Sequence, residues 1–121
     1  MAMTVFIVQD QKHVDPKQDN QLVSKFDFTA AKKFGKLFHL LKPSASPFAI
    51  QPVLEKLHFD LKTFNDDDYL LLVGSPVLIG CAVAVAADYN DGNVNLLQWS
   101  GAKRDYVPVK IKNLFNYQEP Q

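Results

Sequence analysis

The sequence predicts an α/β (α+β) fold. It reads as a single compact domain over residues 1–121, with a mixed β-sheet of about five strands, two main helices and a C-terminal antiparallel hairpin. Three observations carry this. TVFIV (residues 4–8) and YLLLV (residues 69–73) are continuous apolar runs, as strands buried on both faces are. From Val53 to Phe64 the apolar residues recur at helical spacing. VNLLQW (residues 94–99) and YVPVKI (residues 106–111) are two strand-like runs joined by the polar SGAKRD.

Taken in order, the first strand is TVFIV. The polar QDQKHVDPKQDNQ after it, with Pro16, reads as a loop. LVSKFDF is extended. Asp27 or Thr29 caps a short helix, AAKKF, that Gly35 closes. KLFHLL (residues 36–41) is the second strand, and KPSASPF a loop. The first main helix starts at Pro52, where a missing N–H costs nothing. It buries Val53, Leu54, Leu57, Leu61 and Phe64, with Glu55, Lys56, Asp60 and Lys62 outside. NDDD ends it. YLLLV is the next strand, and Gly74-Ser75-Pro76 the turn into the second main helix, with Ser75 as cap. YNDGN is a turn. Two strands follow, and Pro108 puts the last one at a sheet edge, because it cannot donate to a ladder on both sides. Residues 1–3 and 116–121 are expected to fray.

Composition narrows the function classes. The chain has 121 residues, with Lys+Arg and Asp+Glu both 13, so its formal net charge is zero. Non-specific nucleic-acid binding usually shows a basic surplus, and none is present globally. The single cysteine, Cys81, rules out an internal disulfide and reads as a small buried hydrophobe. The N-terminus shows no secretory signal, and a cytoplasmic setting is the expectation.

Residues 70–87 carry no charge. A membrane span is disfavoured. The helical part after Pro76 is about 18 Å long at 1.5 Å per residue, against a hydrocarbon core of about 30 Å. Acidic residues flank it, with no Lys or Arg nearby. A phosphate site at Gly74 and Ser75 is a weak match to any Gly-rich phosphate motif. The favoured reading is a central helix kept slim by small residues. Gly80, Ala84 and Ala87 share one face by spacing, and that face suits the sheet, another helix or a second subunit.

No constellation points to catalysis. His13, His39 and His58 lack metal-ligand spacing, G-x-S-x-G is absent, and DYNDGNVN fails the calcium-loop pattern. NDDD reads as a helix end. No catalytic residue, cofactor or metal is expected. Lys32, Lys33 and Lys36 lie among Phe34, Phe38 and His39, which is the pattern of a single-strand binder, although a solvated helix face explains it better. The last hairpin carries Trp99, Arg104 and Tyr106, residue types favoured at protein interfaces.

The stretch FNDDDYLLLVGSPVLIGCAVAVAADYNDGNVNLLQW, followed by KRDYVPVKI, resembles a group of short uncharacterised proteins of tailed bacteriophages, including T7-like viruses of marine bacteria. The resemblance extends loosely to FDFTAAKKFG and SPFAIQPVLEKL, and SGAKRDY departs from the acidic turn of the group. It implies a small accessory phage protein in an infected bacterial cytoplasm and supplies no catalytic residue.

The leading expectation is thus a non-enzymatic protein acting by protein–protein contact, with homodimerisation as one form of that contact. Its candidate interface residues are Gly80, Ala84, Trp99, Arg104 and Tyr106. One alternative is nucleic-acid binding through Lys32, Lys33 and Lys36. The other is a small-molecule or nucleotide site at Gly74 and Ser75. No membrane partner is expected.

Overall fold

The computed structural model describes residues 3–120. Five strands form a mixed sheet beside a separate two-stranded ribbon. Along the chain the strands are β1 (Thr4–Gln9), β2 (Lys12–Asp15), β3 (Gln21–Ser24) and β4 (Lys36–Leu41). Helix α1 (Ile50–Leu61), β5 (Tyr69–Leu71), helix α2 (Pro76–Tyr89), β6 (Val94–Ser100) and β7 (Asp105–Ile111) complete the order. β1 runs parallel to β4 and β5, β5 runs parallel to β6, and β7 pairs antiparallel with β6. The predicted fold class is therefore the observed one. Of the fraying expected of residues 1–3 and 116–121, positions 1, 2 and 121 lie outside the described residues. Residues 117–120 are exposed and form no regular element.

The two apolar runs sit where continuous hydrophobicity places them, at the inside of the sheet. Alternation along β1 splits its side chains between two clusters. Phe6 and Val8 face the helices, with Leu57, Leu61, Leu78 and Ala82. Val5 and Ile7 face the other way, with Phe28, Ala31, Leu71 and Leu97. Helix α1 buries Val53, Leu57 and Leu61, and Phe64 just beyond it continues the stripe. Leu57 is fully buried, so truncation to Ala costs about 3 kcal/mol. The helix starts at Ile50, two residues before the predicted start, so Pro52 is its third residue, still among the first four N–H groups that lack a helical partner.

The stretch read as a loop after β1 contains the β2–β3 ribbon instead. Its turn places Asp19 and Asn20 in the left-handed region, at φ 55° and 58°, and Asp15 Oδ1 accepts the Lys17 N–H at 2.9 Å. Polar composition hid it, because this ribbon is solvated and its strands bury little. The AAKKF helix is a 3-10 helix, Thr29–Phe34, closed at Gly35. Asp27 Oδ1 accepts both the N–H and the hydroxyl of Thr29, at 2.9 and 2.6 Å.

Helix α2 is apolar all round but not covered all round. Leu78, Ala82, Val85 and Ala86 are buried, whereas Val77, Gly80 and Ala84 are exposed. Cys81 is half-buried at the margin of the core. Ala87, predicted to share the face of Gly80 and Ala84, is fully buried. The chain folds back over the last turn there, and the Gly92 N–H donates to the Ala87 carbonyl at 2.8 Å. Among the described residues no helix is long and apolar enough to cross a membrane.

Both long helices lie on one sheet face. The chain leaves β1 for β4 on one side and returns over it to β5 on the other. The winding therefore reverses between β1 and β5, which is where open α/β sheets bind ligands, beyond the carboxyl ends of the strands. The face away from the helices is covered by the short 3-10 helix and the segment before it.

Candidate protein-contact site

That thinly covered face leaves an apolar groove of about 410 Å³ beside the 3-10 helix. Leu71 ends β5 and Leu72 and Val73 follow it, while Trp99 comes from β6 and Tyr106 from β7. Phe26 and Phe28, in the segment after β3, close the opposite wall. The β6–β7 register sets Trp99 directly opposite Tyr106. Their rings meet edge to face, with centroids 5.1 Å apart and planes at 69°, a favoured aromatic arrangement. Tyr106 is 6% exposed and Trp99 50%. Tyr106 is thus floor and Trp99 wall. Phe26 stands half-exposed 6.3 Å from the buried Phe28 ring.

Charge is sparse at the groove. Lys25 and Asp27 stand at its rim. Hydrogen bonds from the Thr29 side chain, then the Thr29 backbone, hold the Asp27 carboxyl below the ordinary carboxylate range. Burial pushes the Tyr106 phenol up, and the Asp27 charge adds to that. Lys33 pairs with Asp105, tying the 3-10 helix to β7. The Lys33 hydrogen bond, followed by that of the Tyr106 backbone, lowers the Asp105 pKa. The pair is exposed, so it positions more than it stabilises.

Of the residues singled out from sequence, the structure brings Trp99 and Tyr106 together in this groove. Arg104 sits at the exposed hairpin tip at φ 50° and does not line it. Gly80 and Ala84 lie on α2, across the sheet, facing solvent in the single chain. Phe26, Phe28 and Val73 were not singled out. Their only signal is the alternation in FDF and the apolar end of YLLLV.

The basic segment does not assemble one surface. Lys32 and Lys36 are exposed, but Lys33 is paired. Phe34 packs with Tyr69 on one sheet face, whereas Phe38 packs with Phe6 on the other. Basic and aromatic side chains that alternate in sequence are therefore split by the sheet.

The turn at Gly74 and Ser75 is filled from within. Gln9, at the carboxyl end of β1, accepts the Ser75 N–H on Oε1 at 3.0 Å. Its Nε2 donates to the carbonyls of Lys42, Pro43 and Ala45, at 3.3, 3.3 and 3.0 Å. Gly74 has φ +114°, and a Cβ there would lie 2.5 Å from that of Gln9. The backbone donor an anion would use at Ser75 is thus already engaged. Ser75 holds the cap position of α2, but its side chain makes no capping bond. Two of the NDDD acids, Asp66 and Asp68, are tied into the fold. Asp68 accepts the N–H groups of Thr4 and Asn65, each at 3.1 Å, and Asn90 Nδ2 donates to Asp66 at 2.9 Å.

Among known proteins, one family model, described as Phage Pam3 gp32-like protein, matches residues 3–113. It supports the phage resemblance over nearly the whole chain and says nothing of the T7-like type. No curated protein and no solved structure matches the chain.

Proposed function

We propose, from the premise that this chain belongs to the Phage Pam3 gp32-like protein family, that it is a small non-enzymatic accessory protein. In this reading it acts by protein–protein contact in the cytoplasm of the infected bacterium. The supporting observation is the groove, where a half-exposed Trp99 stands over a buried Tyr106 with Phe26 opposite. Aromatic residues at the centre of a desolvated pocket carry much of the energy of protein interfaces. The occupant this chemistry fits is a peptide segment of a phage or host protein that inserts an aromatic or large aliphatic side chain. The apolar walls reward that burial, and the Lys25–Asp27 rim offers one charge of each sign.

The test is selective capture. Tagged wild-type chain and the Trp99→Ser and Phe59→Ser variants are compared in lysate from infected cells. Phe59 is also exposed, at 67%, but on α1 across the sheet. A discrete protein held by wild type and Phe59→Ser but lost by Trp99→Ser supports the groove. Equal retention by all three removes it. Homodimerisation rests on a different surface, the exposed strip of α2 at Val77, Gly80 and Ala84. A monomer mass throughout a light-scattering concentration series removes that form of the reading.

A further inference from the structure

A second cavity, of about 290 Å³, opens at the carboxyl ends of β1 and β4. Asp10, Lys12, His39, Lys42 and Lys56 line it. Asp10 is 4% exposed. Its Oδ2 accepts a hydrogen bond from the Ser24 hydroxyl, and its Oδ1 accepts none. An unsatisfied buried oxygen costs about 1–3 kcal/mol, and more on a charged group. Such atoms are rare in native proteins and call for an explanation.

The lysines around it do not supply the missing bond. Lys56 is held by Asp60. Among the described residues, no carboxylate lies within ion-pair distance of Lys12 or Lys42. The cavity therefore combines a buried acceptor with two uncommitted cations. A metal ion fits poorly, because only one carboxylate is offered and the lysines repel it. A ligand with both a hydroxyl and a multiply charged anionic group fits both features. The place agrees, since it lies beyond the carboxyl ends of parallel strands, next to the point where the winding reverses. A neighbouring cavity of about 460 Å³ shares Leu40, Leu41, Lys42 and Lys56, and continues toward the N-terminus of α1, which has no side-chain cap. It gives room for a larger substituent on the same ligand.

We propose that this cavity binds a sugar phosphate, free or as part of a nucleotide, with a sugar hydroxyl donating to Asp10 Oδ1 and the phosphate held by Lys12 and Lys42. The proposal is independent of the protein-contact groove, which lies around the β5–β7 side of the sheet.

Isothermal titration calorimetry on the full chain tests it with ribose 5-phosphate, adenosine 5′-monophosphate, ribose and inorganic phosphate. The expected result is saturable binding of at least one of the first two, about tenfold or more tighter than either ribose or phosphate. Adenosine 5′-monophosphate binding tighter than ribose 5-phosphate assigns the site to nucleotides, and the reverse assigns it to free sugar phosphates. Asp10→Asn and Lys42→Gln are each expected to weaken binding about tenfold. Lys42 is exposed, so its variant decides the matter if Asp10→Asn does not fold. Absence of binding, inorganic phosphate binding as tightly as the sugar phosphates, or wild-type affinity in either folded variant overturns the proposal.

Discussion

Trp99 and Tyr106 face each other across the β6–β7 hairpin, 5.1 Å apart ring to ring, yet one is half-exposed and the other buried. The pair therefore divides into a structural and an available member. Tyr106→Ala should cost about 3–5 kcal/mol, as large aromatic truncations in cores do. Trp99→Ala should cost only about 1 kcal/mol, the scale of one aromatic pair. Urea denaturation of both variants measures this. Equal losses would mean that Trp99 is as much a core residue as its neighbour.

The Gln9–Gly74 contact makes a second prediction. Gly74→Ala meets both a left-handed φ and the Gln9 Cβ, and is expected to cost about 2 kcal/mol or more. Because the clash is with Cβ, shortening Gln9 to Ala should not relieve it. Substantial rescue in the double variant would place the strain elsewhere.

Gly80 behaves in the opposite way. It lies within α2, and a Cβ built there meets nothing within 4 Å. Gly80→Ala should therefore stabilise the isolated chain by about 0.5–1 kcal/mol. A loss of stability that deepens with protein concentration would show that a second copy packs on this strip.

Asp68 sets a pH dependence. Burial raises its pKa above the ordinary carboxylate value, the backbone bonds from Asn65 and Thr4 oppose the shift, and the Asp67 charge adds to it. The folded chain thus binds this proton more tightly than the unfolded chain does. The associated stability is fully present below the ordinary value of about 3.9 and is lost as pH rises through the raised folded value. Asp68→Asn removes the titration. The stability of wild type relative to Asp68→Asn should fall as the pH rises above about 4, as read from urea curves. A rise over that range would reverse the sign.

How much of this was legible in the sequence depends on what each residue does. β1, β5 and α1 declared themselves because burial on two faces, or along one stripe, leaves a periodic record. The β2–β3 ribbon left none, since its strands are mostly solvated and held by turn geometry at Asp19 and Asn20. α2 was legible as a slim apolar helix, but the face assigned to Gly80, Ala84 and Ala87 is split, since Ala87 is buried and the other two are exposed. Its missing charge identifies a core element but cannot show which strip the neighbouring elements leave bare. Trp99 and Tyr106 stood out by residue type. The rest of the groove did not, because Phe26 and Phe28, from the segment after β3, and Val73, from just beyond β5, meet only once the sheet forms. Gln9 was invisible for a related reason. A lone glutamine at a strand end becomes a bridge only when Ser75 and Ala45 are folded against it.

The aromatic groove is proposed as the surface through which this phage protein meets its partner. Site-specific photo-crosslinking in infected cells tests it most directly, with the photoreactive residue placed at Phe26 in the groove or at Phe59 on α1. A discrete adduct is expected from position 26 that is absent from position 59 and is lost when Trp99→Ser is added. No adduct from position 26, or the same adducts from both positions, would contradict it.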